Sequence, residues 1–488
     1  MALPFDLAMM TTVVEILALL AHAVVIGAVL LARRRDPTAT IAWILFILLF
    51  PLVGVLLYLT LGHTRVRRIT KRSTRAEARI RELTSRYEVR ARLGAASGTA
   101  DARTRTMIRL GSALASAPAS GGNAARVLID AAATYREMTL AISAARHHVH
   151  VQFYIIQPDA VGTALRDLLV ARAAAGIEVR VICDAVGSMS LPADFWEPLR
   201  ASGGHAATFS PLSRLLPHWR RRDRVDFRNH RKIVVVDGRV GFTGGINVGK
   251  EYLGLDPEIG RWRDTHLRIE GPAVLSLQQT FLHDWLLATD ETLDDERYFP
   301  AGPPAGDCLV QIIDSGPDQT WASVEFYYAQ AIALACERVW ITNPYFIPSQ
   351  LIESALTLAA LRGVDVRVLL PKKSDSRVVT LASHSYYAPL LHAGVAIFEY
   401  ARGFVHAKTM VVDDWVATVG SANMDMRSFK LNFEINAFIF GPRLCEDLAR
   451  QFTVDLQAAT PVTREWDRRM GLARRLVRGI ARLLSPLL

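Results

Sequence analysis

His230-Arg-Lys-Ile-Val-Val-Val-Asp-Gly-Arg-Val-Gly-Phe-Thr-Gly-Gly-Ile-Asn247 is the stretch from which the rest of the sequence can be read. It returns 176 positions later as His406-Ala-Lys-Thr-Met-Val-Val-Asp-Asp-Trp-Val-Ala-Thr-Val-Gly-Ser-Ala-Asn423. Five residues, His, Lys, Asp, Gly and Asn, recur in one register, which marks an internal duplication. The β-branched run after each His-x-Lys predicts a strand, so His230 shares a face with Lys232, and His406 with Lys408. Asp237 and Asp413 have the other parity, and Asp237 begins an Asp-Gly hairpin signal, so parity gives both aspartates a structural role at turns.

The repeat extends outward from the two motifs. Upstream, Gly176-Ile-Glu-Val-Arg-Val matches Gly363-Val-Asp-Val-Arg-Val, each a turn glycine entering a strand after an Ala/Leu-rich helical stretch. Val151-Gln-Phe-Tyr-Ile-Ile and Ile341-Thr-Asn-Pro-Tyr-Phe-Ile precede those helices as buried strands, with Tyr154 and Tyr345 at equivalent places, where core packing is favoured over an approach to the site. Downstream, Asp264-Thr-His-Leu-Arg-Ile-Glu-Gly-Pro matches Glu434-Ile-Asn-Ala-Phe-Ile-Phe-Gly-Pro. Strands interleaved with helices predict two α/β lobes, each with a largely parallel sheet, paired about a pseudo-twofold axis.

Two facing copies supply two imidazoles, two ammonium groups and two amides. A phosphodiester gains negative charge in its transition state, and Lys232, Lys408, Asn247 and Asn423 are suitable fixed donors for it. One imidazole can attack phosphorus while the other protonates the departing alkoxide and later deprotonates an incoming alcohol. This scheme calls for no metal and no cofactor, and an imidazole beside an ammonium is a poor cation ligand. Each histidine needs a partner on its second nitrogen, and Asp264 and Glu434, carboxylates in otherwise apolar strands about 30 residues after their histidines, are the candidates.

The N-terminal end has a different character. Residues 12–32 are apolar apart from Glu15 and His22, and Thr38 to Leu61 carry no charge, which predicts two membrane segments within residues 1–62. Pro51 and Gly54 interrupt the second, as a kinked span or a re-entrant hairpin. Arg33 to Arg35 lie between the runs and a larger basic cluster begins at Arg65, which favours a multi-pass protein of the cell membrane with its catalytic part on the cytoplasmic face. Residues 63–120 read as a basic helical linker, 121–300 as the first lobe and 301–488 as the second. Leu472, Leu476, Val477, Ile480 and Leu483 alternate with arginines in a basic amphipathic C-terminal helix, which suits either an anionic lipid surface or simple packing. Cys183, Cys308, Cys336 and Cys445 lie far apart with no CxxC pairing and read as buried thiols. The net charge of +10 calls for an anionic partner. Membrane segments and the absence of stacking aromatics argue against nucleic acid.

The paired HxKxxxxD motifs resemble the signature of the phospholipase D superfamily. Ala42-Trp43 through Pro51-Leu-Val-Gly54, Trp262-Arg-Asp-Thr-His266, Asp314-Ser-Gly-Pro317, Asn343-Pro-Tyr-Phe-Ile-Pro348 and Arg427-Ser-Phe-Lys-Leu-Asn-Phe-Glu434 are similar to its bacterial cardiolipin synthase branch. The resemblance implies two pseudo-symmetric α/β/α lobes after a membrane hairpin of two helices, with one site between the lobes. It implies a catalytic set of His230, Lys232, Asp237, His406, Lys408 and Asp413, a phosphohistidine intermediate on His230, and His406 as acid and base. The implied reaction joins two phosphatidylglycerols into cardiolipin and glycerol, with phospholipid hydrolysis or headgroup exchange as the rival.

Overall fold

A computed structural model describes residues 22–31, 37–58, 66–86, 101–115, 118–209, 227–255, 260–465, 472–483 and 485. The chain divides into two units, residues 1–71 and 72–488. Glu15, the remainder of residues 12–21 and the Arg33 to Arg35 triplet lie outside the described residues.

In the N-terminal unit the second apolar run is not one span. The helix Pro37–Leu49 ends at Phe50, and a shorter helix, Pro51–Leu57, starts on the proline. A Cβ on Gly54 would stand 2.7 Å from the Ile47 Cα, so the bare glycine lets the short helix fold back against the first. Proline fixes the break, because it opens a helix readily but cannot continue one. Among the described residues no helix is long and apolar enough to cross a membrane.

In the larger unit one sheet of 15 strands runs through both lobes. The first lobe supplies β1 (Ala119–Ile129), β2 (His148–Phe153), β3 (Glu178–Asp184), β4 (His205–Phe209), β5 (Ile233–Val236), β6 (Val240–Gly244), the short β7 (Trp262–Arg263) and β8 (Thr265–Glu270). The second supplies β9 (Cys308–Ser315), β10 (Arg338–Thr342), the short β11 (Phe346–Ile347), β12 (Asp365–Pro371), β13 (Ala396–Tyr400), the short β14 (Phe404–Val405), β15 (Thr409–Val412), β16 (Val416–Gly420), the short β17 (Met424–Asp425), β18 (Glu434–Phe440) and β19 (Ala459–Val462). From the β1/β9 seam outward the orders are β1-β8-β6-β5-β2-β3-β4 and β9-β18-β16-β15-β10-β12-β13, with β19 added at the second edge. The duplication is thus a repeat of topology as well as of motif.

The sheet corrects the expectation of largely parallel pairing. Only β2/β3, β3/β4, β10/β12 and β12/β13 are parallel; the remaining neighbours in the sheet are antiparallel. Helical crossovers enforce parallel pairing, and Ala160–Ala174 and Gln350–Leu361 serve that purpose. The motif strands are joined instead by tight turns. Asp237 and Gly238 take φ of 54° and 62°, and Asp413 takes 51°, left-handed conformations that reverse the chain at once.

Burial on both faces explains the β-branched runs. Val234 and Val236 enter the core of the first lobe with Val149, Val151 and Phe153. Ile233 and Val235 enter a core shared by both lobes, with Leu267, Val310, Ile312, Val411 and Ile435. Within the predicted linker, the helix Ala102–Ala115 packs Met107, Leu110 and Leu114 onto the core of the second lobe. Cys183 and Cys445 are buried, but Cys308, the first residue of β9, is half-buried and Cys336, in the bend before β10, is exposed.

Candidate active site

Each motif histidine lies just ahead of its strand, with two residues between, and is fixed by main-chain bonds to the opposite lobe. The His230 N–H donates to the Phe433 carbonyl, and the Phe433 N–H donates to the Arg228 carbonyl. Symmetrically, the His406 N–H donates to the Arg263 carbonyl, where β14 pairs with β7. These paired main-chain links bring two histidines 176 residues apart in sequence into one site.

The same links exchange the carboxylates. His230 Nδ1 lies 3.0 Å from both carboxylate oxygens of Glu434, and His406 Nδ1 lies 2.7 Å from Asp264 Oδ2. Each imidazole is therefore oriented by the lobe that does not carry it. Sequence reasoning found both carboxylates, and chain order alone does not say which histidine each one serves. With Nδ1 engaged, Nε2 is the nitrogen of His230 left for a ligand.

The two lysines are wholly buried, and each donates to the carbonyl of its own histidine, at 2.7 Å for Lys232 and 2.5 Å for Lys408. Lys408 Nζ is also 3.0 Å from both ring nitrogens of His406. Burial lowers the pKa of both lysines, that of Lys408 to about 8, with Asp264 and Glu434 pulling the other way. Burial also brings His230 to about 4, partly offset by Glu434, and lowers His406, to which Lys408 and Lys232 add repulsion. Burial thus favours uncharged imidazoles, while Lys408 keeps its charge below about pH 8. An arriving phosphodiester supplies the anion that favours protonating one imidazole.

The two halves are not electrostatic copies. Glu434 also accepts from the Ser421 hydroxyl and the Asn432 amide, and its pKa is lowered despite burial, by His230, Lys232 and Ser421. Gly245 takes the place of Ser421 in the first lobe, and a Cβ there would stand 2.2 Å from Asp264 Oδ1. Asp264 accepts the Thr265 N–H as well as His406, and burial raises its pKa.

The motif aspartates are not brought to the imidazoles, which corrects their place in the implied catalytic set. Asp237 accepts the main-chain N–H groups of Arg146, His147 and His148, at the far end of β5. Asp413 accepts those of Cys336, Glu337 and Arg338 and pairs with Arg103 at 2.8 Å. Each ties a motif turn to the segment leading into the neighbouring strand, β2 or β10.

Of the two predicted phosphate donors, Asn247 is committed in part. Its Nδ2 donates to the Tyr252 hydroxyl at 2.6 Å and its Oδ1 accepts the Ile155 N–H. Asn423 is buried, with its Oδ1 lacking a partner among the described residues.

Several neighbours escaped the sequence reading. Tyr154, expected in the core, stands edge-on to His230 with ring centroids 5.0 Å apart, and Lys232 lies over its face. Trp262, Phe404, Tyr252 and Tyr345 surround His406, and the Tyr345 hydroxyl donates to Asp375 at 2.6 Å. Buried Arg231, between the two motif residues but of opposite parity, pairs with Asp284 and Asp314 and donates to the Glu434 carbonyl. Parity was the available signal for Arg231, and the equivalent places of Tyr154 and Tyr345 in the two repeats were the signal for the aromatic collar.

Among the described residues two groups have metal-ligand spacing, Glu77 with His283 and Asp318, and His147 with Glu178 and Asp295. Neither includes a motif histidine. In the second, Arg180 already pairs with Glu178 and Arg297 with Asp295. At the histidine pair the adjacent ammonium groups would repel a cation.

The family described as "Cardiolipin synthase, PLD-like domain" matches residues 138–285 and 328–456, and that described as "Phospholipase_D-nuclease N-terminal" matches 19–63. A cardiolipin synthase of Alkalihalophilus pseudofirmus is 38% identical, covering 95% of this chain and 92% of its own. One from Geobacillus sp. is 40% identical with the same coverage. The crystal structure of phosphatidylserine synthase from Haemophilus influenzae superposes with a TM-score of 0.59 at 14% identity, over 78% of this chain and all of that one, a likeness of fold.

Proposed function

This chain belongs to the cardiolipin synthase family of phospholipase D-like proteins, and from that membership we propose that it transfers a phosphatidyl group between two phosphatidylglycerols. The observation that carries the reading is the crossed pair: two imidazoles, each backed by a carboxylate of the other lobe, beside two buried lysines. His230 Nε2 attacks phosphorus, the phosphorus–glycerol bond breaks, and His406 gives its proton to the departing oxygen. Neutral His406 then takes the proton of a hydroxyl on a second phosphatidylglycerol, whose oxygen displaces His230 from phosphorus. The products are cardiolipin and glycerol, and His406 ends protonated as it began. Lys232, Lys408 and Asn423 hold the phosphoryl oxygens. Two features support His230 as nucleophile: the phosphoimidazolium is cationic, and Glu434, with its extra donors, is the carboxylate better kept charged.

The N-terminal unit keeps this chemistry at the bilayer. Its helices expose Leu30, Leu31, Leu45, Leu52 and Leu56, side chains that favour a lipid environment. In our reading residues 1–62 anchor the chain in the cell membrane and the basic cluster from Arg65 keeps the catalytic unit on the cytoplasmic face.

Purified full-length protein in phosphatidylglycerol vesicles tests the proposal. It should release one glycerol per cardiolipin without cytidine nucleotide, and added glycerol should reverse the reaction, because one phosphodiester is exchanged for another. Phosphatidic acid as the main product would shift the assignment to hydrolysis, and a strict need for CDP-diacylglycerol would overturn it.

A further inference from the structure

The C-terminal helix Leu472–Leu483 docks on the second lobe with its faces inverted relative to an ordinary surface helix. Ala481 is buried, Arg478 donates to His384, and Arg482 stacks on Tyr386 and pairs with Glu353. The apolar arc points outward: Leu476 is 65% exposed, Val477 48%, Ile480 55% and Leu483 79%. A helix that turns Arg478 and Arg482 toward the protein and Leu476, Ile480 and Leu483 toward water leaves an apolar ridge to be covered by something else.

Its position says what. The helix packs on the helix Arg377–His384. Two residues before that helix starts, Asp375 accepts the hydroxyl of Tyr345, whose ring stands beside His406. The helix Arg377–His384 thus connects the C-terminal helix to the Tyr345–Asp375 contact beside His406. In the loop that leads into that helix Lys372, Lys373, Arg377 and Val378 are exposed around Asp375, and the C-terminal helix itself contains four arginines and no acid.

We propose that this ridge and the cationic loop beside it form a second membrane contact, seated in the headgroup layer of an anionic bilayer, which brings lipid phosphodiesters to the mouth of the site. Apolar side chains reach the acyl boundary while Lys372, Lys373 and Arg377 meet the phosphates, the two components of interfacial binding. The contact lies in the catalytic unit and is separate from the N-terminal anchor. It rests on the lipid-substrate reading for its purpose but not for its measurement.

A photo-crosslinking residue placed at Ile480 of the full-length protein in phosphatidylglycerol vesicles tests it directly, with Leu140 of the first lobe as the comparison position. The expected result is an adduct one phospholipid heavier at 480 and none at 140. A protein–protein adduct at 480, equal labelling at both positions, or no lipid adduct would each overturn the proposal. This readout needs no turnover, so it stands even if cardiolipin synthesis fails. Where synthesis is seen, L476E/I480E should raise the surface KM for phosphatidylglycerol by about tenfold or more. It should leave turnover of dihexanoyl phosphatidylglycerol below its micellar concentration unchanged; equal loss on both substrates would count against docking.

Discussion

The crossed carboxylates make a prediction that neither the motifs nor chain order would make. In Glu434→Gln the side-chain oxygen can still accept from Ser421 or Asn432, but the charge is gone and an amide N–H2 faces His230 Nδ1. That nitrogen then accepts, the ring proton moves to Nε2, and the lone pair needed for attack is lost. In a histidine triad the corresponding amide substitution costs roughly 10⁴ in kcat, or about 5 kcal/mol. We expect a loss between about 10³ and 10⁴ here, and a similar loss for Asp264→Asn, which mis-sets His406. The two defects separate when phosphatidyl-p-nitrophenol replaces the natural substrate, because nitrophenolate leaves without a proton. The nitrophenol burst should return to within about tenfold of wild type in Asp264→Asn, since only acid catalysis is missing. It should remain lost in Glu434→Gln, where the nucleophile itself is disabled. The opposite pattern, burst kept in Glu434→Gln and lost in Asp264→Asn, would refute the assignment.

Lys408 must carry its charge to hold phosphate, and its pKa of about 8 means that the charge disappears as pH rises through that value. The free-enzyme profile of kcat/KM should therefore fall above about pH 8, and Lys408→Arg should abolish that limb; a profile flat to pH 9.5 in wild type would contradict it. Asp237→Ala releases three main-chain N–H groups and should cost roughly 2 kcal/mol in stability, while kcat per folded molecule stays within about tenfold. Thermal unfolding beside active-site titration separates the two effects. Arg231→Ala removes the counter-charge of fully buried Asp284, a loss of about 3 to 5 kcal/mol, and loosens Glu434 as well. Both Tm and kcat should fall, and an unchanged Tm would reassign Arg231. Exhaustive EDTA treatment should leave turnover intact, and loss restored by a divalent ion would contradict the metal-free scheme.

Much of this was legible because a duplicated motif fixes both register and parity. The five-residue repeat placed the histidines and lysines, and the odd spacing of Asp237 placed it at a turn, where its φ of 54° confirms the Asp-Gly signal. Strand direction was misread because helices between strands suggest crossovers, whereas Asp237-Gly238 and its counterpart at Asp413 make hairpins of the motif strands themselves. The pairing of carboxylate with histidine was out of reach for a different reason. It depends on β7 and β14, two residues each, and on a single bridge between Asn229 and Phe433, segments too short to leave a periodic signature.

That exchange also explains why the lobes share one sheet. His230 without β18, or His406 without the residues around Asp264, retains its lysine and loses its tautomer. The site therefore requires the lobes to be held in fixed register. The β1/β9 seam does this: β1 bonds β8, which follows Asp264, and β9 bonds β18, which begins at Glu434, so each carboxylate lies one strand from the join. Apolar residues of both lobes, Leu267 and Ile269 with Val310, Ile312 and Ala437, close a common core over that seam. A shift of one residue there would turn these side chains to the opposite face and move the carboxylates relative to their histidines. The cohesion of the shared core and the geometry of the site are thus set by the same pair of strands.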